Sequence, residues 1–112
     1  MKEELISFET AKLAKAKGFI VPVKYYYDFK GDKCCGSYKT SWNLSKSDLY
    51  ATPTQSLLQK WLREKHDIHI IVIPHLDVFR FKVLTKYGYQ SYFKSNYEEA
   101  LETGLQEALK LI

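Results

Sequence analysis

The sequence predicts an α+β fold: an antiparallel sheet of about five strands with three helices packed on one face, in the order α-ββ-α-βββ-α. Three observations lead there. Segments with period-2 alternation come in groups between helices, without the βαβ alternation of a parallel sheet. Three further segments each carry one apolar stripe at helical spacing, which must be buried against something. Finally, 112 residues, 46% hydrophobic and 27% charged, are the composition and length of an ordinary globular domain that buries its own core. A single domain over residues 1–112 is expected, with no repeat, linker or low-complexity tract.

The first helix is expected over Phe8–Lys17. Ser7 is its N-cap, Glu9 places acid in the first turn, and Gly18 is the stop. Phe19–Tyr27 then switches to strand character, with Pro22 marking an edge or a late start. Asp28–Lys33 reads as a turn, and Gly36–Trp42 returns as the second strand, with Tyr38, Thr40 and Trp42 alternating. Residues 43–52 read as a polar loop. The second helix opens with Thr52 as cap, Pro53 at the first helical position and Gln55 closing a capping box. Leu57, Leu58, Trp61 and Leu62 form its apolar face, and it ends near His66-Asp67. Ile68–Ile73, Val78–Leu84 and a short strand near Gln90–Phe93 make a meander. A capping box of Ser95 and Glu98 opens the third helix, whose stripe is Tyr97, Leu101, Leu105, Ala108 and Ile112, widened by Ala100, Gly104 and Leu109.

Seventeen Lys+Arg against thirteen Asp+Glu give a net charge of +4. The distribution is uneven. Residues 78–94 hold Arg80, Lys82, Lys86 and Lys94 without an acid, whereas residues 95–112 hold Glu98, Glu99, Glu102 and Glu107 against Lys110. A basic side facing a polyanion accounts for this; so does a domain whose charges keep it solvated. No apolar run approaches the ~20 residues of a membrane span, and the start Met1-Lys2-Glu3-Glu4 has no signal-peptide core. No membrane association is expected, and the adjacent Cys34-Cys35 pair, poorly placed for a relaxed disulfide, fits a reducing, cytoplasmic compartment.

Familiar catalytic constellations do not emerge. His69 and His75 share strand parity but stand about 20 Å apart along an extended strand, too far to share an ion. His66 near a helix C-terminus suits the macrodipole. There is no GxSxG elbow and no phosphate-cradling glycine loop. Hence no catalytic residue, cofactor or metal is assigned, and the chain reads as a non-enzyme.

Nine Tyr, six Phe and two Trp are the unusual feature, because many are interleaved with lysine. Exposed rings beside cations on a sheet stack bases and neutralise phosphates. On that reading Lys24, Tyr26, Arg80, Lys82 and Lys86 are the nucleic-acid-binding residues. Residues 86–94 do not fit the RNP1 pattern, and the same rings serve equally as β-formers that pair across strands and fill the core. The strand Ile68–Ile73 points to self-association. If Ile68, Ile70 and Val72 face the core, then His69, Ile71 and Ile73 face outward and are too apolar for solvent alone. A homodimer would cover them; scattered surface apolars would need no cover.

Three segments carry a resemblance: Leu5-Ile6-Ser7-Phe8-Glu9-Thr10-Ala11-Lys12-Leu13-Ala14-Lys15 ending in Lys17-Gly18-Phe19; Pro53-Thr54-Gln55-Ser56-Leu57-Leu58-Gln59-Lys60-Trp61-Leu62-Arg63-Glu64-Lys65-His66; and Tyr97-Glu98-Glu99-Ala100-Leu101 with Gly104-Leu105. They resemble a family of small uncharacterised proteins of phage and prophage regions in gut anaerobes, over nearly the full length. The resemblance implies a mobile-element origin and a location inside the host cell, and no mechanism. The expectation is a non-enzymatic interaction or accessory protein with an unidentified protein partner. The alternative is single-stranded nucleic-acid binding through the basic aromatic hairpins.

Overall fold

The structure is a computed structural model and describes residues 4–44 and 48–112, without the side chains of 37–40. The chain start Met1–Glu3, loop residues 45–47 with Lys46, and the expected alternation of Tyr38 and Thr40 lie outside the described residues.

The element order is α1 (Phe8–Ala16), β1 (Val23–Tyr27), β2 (Lys33–Thr40), a 3-10 turn at Trp42–Leu44, β3 (Tyr50–Ala51), α2 (Gln55–His66), β4 (His69–His75), β5 (Val78–Thr85), β6 (Gly88–Lys94) and α3 (Tyr97–Lys110). The fold is α+β, but the strands form two antiparallel sheets of three, ordered β2-β1-β3 and β4-β5-β6, and not one sheet of about five. The reason lies in the segment read as a loop. Tyr50 and Ala51 pair with Tyr27 and Tyr26 on the side of β1 away from β2. Both edges of β1 are then taken within the first sheet, and among the described residues no pairing joins its edge strands β2 and β3 to the meander.

The helices are divided accordingly. α2 packs on β4 and α3 on all three strands of the second sheet, whereas α1 packs on β3 and on α3. They do not share one face of one sheet. Trp61 is buried as expected, but its ring sits edge-on to Phe19 at 5.3 Å. Leu58, Leu62, Ile70, Phe81, Val83, Leu101 and Leu105 belong to the same buried cluster. Gly104 lets α3 lie tight on the sheet: a β-carbon there would lie 2.8 Å from Ile70 Cγ2 and 3.3 Å from Phe81 Cδ2.

Caps explain the helix boundaries. Ser7 caps α1 by accepting from Thr10 N, and Gly18 follows its end with φ +90°, a conformation that glycine adopts freely. The start of α2 falls two residues later than the capping-box reading, because Thr52 is used by the first sheet. Its N–H bonds to Tyr25 O at 3.0 Å and its hydroxyl donates to Tyr50 O. Thr54 caps instead, accepting from Leu57 N at 3.1 Å. Likewise Asn96, not Ser95, caps α3, accepting from Glu99 N, while Ser95 donates to the Glu99 carboxylate.

One carboxylate joins three helices. Glu102 of α3 accepts from Ser7 N and Ser7 Oγ, both at 2.9 Å, and from the Thr10 hydroxyl; its other oxygen accepts from Gln55 Nε2 at 2.9 Å. Gln55 is itself buried and also donates to Glu98 O.

Candidate binding face

The second sheet is built from two tight hairpins. Thr85 pairs with Gly88 across the Lys86-Tyr87 turn, and His75 pairs with Val78 across Leu76-Asp77. Leu76 holds φ +55° and is 93% exposed. β4 is an edge strand, which is why it runs on past the expected end at Ile73, with Pro74 inside it opposite Phe79.

Register then decides which side chains share a face. On the inner side Ile70, Val72, Phe79, Phe81 and Val83 meet the helices; Tyr92 stacks on Phe81 at 5.1 Å and Tyr97 meets Phe79 edge-on at 6.0 Å. The outer side collects His69, Ile71, Ile73 and His75 from β4, Val78, Arg80, Lys82 and Leu84 from β5, and Tyr89, Ser91 and Phe93 from β6. Every β4 and aromatic β6 member of that set is exposed; α2 and α3 cover the opposite side over Ile70, Phe81 and Val83, whereas β6 is exposed on both sides.

Three cross-strand rows describe this outer side: Ile73–Arg80–Phe93, Ile71–Lys82–Ser91 and His69–Leu84–Tyr89. Lys82 Nζ lies 5.0 Å from the Tyr89 ring centroid. Arg80 Nε donates to Ser91 Oγ at 2.7 Å, holding the guanidinium over β6. The His75 ring stands 5.7 Å from that of Phe93. The outward residues of these strands include no carboxylate; the nearest acids in the chain are Asp67, ahead of β4, which pairs with His69 at 3.2 Å, and Asp77 in the hairpin turn.

The residues singled out for nucleic acid are thus divided. Arg80 and Lys82 stand on the outer face, and Lys86 is exposed in the hairpin turn beside Tyr87, 5.1 Å from its ring. Lys24 and Tyr26 are on β1 of the first sheet. Lys24 Nζ lies 5.7 Å from the Tyr25 ring, while Tyr26 packs against Trp42 at 4.2 Å. Burial, with the Cys34 thiol beside it, pushes the Tyr26 phenol up from its ordinary pKa. His69, Ile71 and Ile73 share the outer face with the two cations. Tyr89, Phe93 and His75 complete the set, and they are not in the sequence-based assignment. Their signal was the alternation Tyr89-Ser91-Phe93, readable once the two-residue turn sets the register.

Two concavities are also present, the first sharing Lys86 and Tyr89 with the residues just described. One of about 500 Å³ is bordered by His66, Asp67, Lys86 and Gln90 at the end of the second sheet, and one of about 440 Å³ by Pro22, Lys24, Thr54 and Lys60. In the first, the His66 ring meets Trp61 edge-on at 4.8 Å and Asp67 pairs with His69 at 3.2 Å. Among the described residues no three His, Cys, Asp or Glu side chains converge as metal ligands, and no helix is long and apolar enough to cross a membrane. The chain matches no known family model, no curated protein and no solved structure.

Proposed function

We propose that this chain is a non-enzymatic interaction protein, an accessory protein of phage or mobile-element origin acting in the host cytoplasm, and that its working surface is the outer face of β4–β5–β6. The origin rests on the sequence resemblance of its three helical segments. The surface rests on one observation: a three-stranded face left uncovered while presenting Arg80, Lys82, Ile71, Ile73, Tyr89 and Phe93 side by side. Soluble domains usually make the solvent side of a sheet polar throughout.

A photoreactive phenylalanine analogue placed in turn at Ile73 and Phe93 tests the surface in cells, with Ile20 and Phe29, exposed outside the second sheet, as controls. Discrete adducts from positions 73 and 93 and none from 20 and 29 are expected. Equal labelling everywhere, or none, overturns the assignment of the surface.

The exposed pair Ile71 and Ile73, 43% and 38% accessible, favours a second reading in which a second copy of the chain covers this face. Sedimentation equilibrium at tens of micromolar distinguishes them. A dimer mass that returns to monomer in Ile71→Lys supports the homodimer; a monomer mass throughout removes it.

A further inference from the structure

The occupant of this face can be narrowed by its charge and its rings, provided the face is the working surface proposed above. Cations and rings alternate across β5 and β6. Tyr89 and Phe93, 60% and 54% exposed, lie four residues apart on one side of β6, a spacing of about 13 Å along the strand. Between them stand Lys82, leaning over Tyr89, and Arg80, pinned to Ser91. Lys86 adds a third cation at the hairpin tip.

A homodimer through this face runs against that arrangement. A two-fold contact is made by the same patch on both copies, so Arg80 and Lys82 would be pressed towards their own counterparts with no outward carboxylate on these strands to answer them. An acidic peptide would satisfy the cations but would leave the two rings without a role. Duplex DNA would satisfy the phosphate contacts, but its bases are stacked on one another and offer no face to Tyr89 or Phe93. A single strand offers both: separate flat bases, and a phosphate between each pair of them.

We propose that the outer face of β4–β5–β6 binds single-stranded nucleic acid, with Tyr89 and Phe93 stacking on bases, Arg80 and Lys82 neutralising the phosphates between them, and Lys86 neutralising one beyond Tyr89 at the hairpin tip. Lys24 and Tyr26 take no part, because they stand on the other sheet and the Tyr26 ring is occupied by Trp42. His75 braces the Phe93 ring from the adjacent end of β4.

The test is fluorescence anisotropy of labelled DNA and RNA single strands of about a dozen nucleotides. Neutralising three phosphates gives a salt slope near −2, so affinity is expected to fall about 20-fold between 50 and 200 mM salt. Tyr89→Ala and Phe93→Ala should each weaken binding by about tenfold or more, and Tyr89→Leu and Phe93→Leu, which keep the bulk without the ring, should do the same. Arg80→Ser with Lys82→Ser should flatten the salt dependence, whereas Lys24→Ser should change nothing. Absence of saturable binding at low salt overturns the proposal. So does equal affinity for a duplex of the same sequence, or insensitivity to both leucine variants. Protein adducts from positions 73 and 93 together with no oligonucleotide binding would overturn this occupant and leave the surface assignment standing; absence of adducts from those positions would overturn the surface itself.

Discussion

Gly104 and Ile70 meet with no room between them: a β-carbon on the glycine would sit 2.8 Å from Ile70 Cγ2. Glycine in mid-helix ordinarily costs roughly 0.5–1 kcal/mol relative to alanine, yet overpacking a tight contact costs about 1–3 kcal/mol. The contact wins. Gly104→Ala is expected to destabilise the fold by about 1–2 kcal/mol in urea denaturation, and shortening the facing side chain with Ile70→Ala in the same molecule should make Gly104→Ala less costly than it is alone.

Glu102→Ala removes the acceptor shared by Ser7, Thr10 and Gln55. Hydrogen bonds to a charged group are worth about 1.5–3 kcal/mol, and the Gln55 side chain is left buried without this partner. A loss of about 2–3 kcal/mol in equilibrium unfolding is expected, with faster amide exchange in the first turn of α1. A change below about 0.5 kcal/mol would mean that water replaces the carboxylate at no cost.

Leu76→Asn should stabilise the protein. The left-handed conformation costs a non-glycine residue about 1–2 kcal/mol, and asparagine tolerates it better than leucine. A side chain 93% exposed gives up no packing. A gain of about 0.5–1 kcal/mol is expected from thermal and urea unfolding; a loss would show that the leucine is held by contacts in solution.

Two tyrosines make stability sensitive to alkali. Burial, then the Cys34 thiol, raises the Tyr26 phenol, and burial, then the Glu102 carboxylate, raises that of Tyr27, which donates to Ile6 O at 2.8 Å. A phenol raised above its unfolded value near 10 favours the protonated, folded form. Its contribution is complete below that value and disappears as the pH rises through the folded pKa. Ultraviolet titration of the phenolates should show late-ionising tyrosines, and Tyr27→Phe should remove part of the alkaline loss of stability. Uniform titration of all tyrosines near 10 would contradict this.

How much of this was legible beforehand depended on the range of the interaction. Ser7, capping three residues ahead, was readable, as was the parity that buries Ile68 and Ile70 and exposes Ile71 and Ile73. Thr52 misled because its local partner Gln55 competes with a distant one, Tyr25, and the distant one wins. A two-residue strand such as Tyr50–Ala51 has no period to detect, and without it the division into two sheets was invisible. Arg80 and Lys82 were readable as cations from charge alone. Their neighbours Tyr89 and Phe93 required the register of β5 on β6, which is a property of the Lys86-Tyr87 turn and not of either strand.

The Glu102 junction also predicts an order of events in folding. Both hairpins of the second sheet close through two-residue turns, and α2 and α3 flank it directly in the chain. Its pairings therefore form between near neighbours, the kind of contact that chains reach fastest. Ser7 meets Glu102 across 95 residues of sequence, and that loop closes at an entropic cost no local pairing bears. The second half of the molecule is thus placed to assemble as a nucleus, with α1 arriving last on a carboxylate already fixed to Gln55. Substitutions at Ser7 or Thr10, which touch only the late contact, should then leave the folding rate nearly unchanged and appear almost wholly in the rate at which the finished protein comes apart.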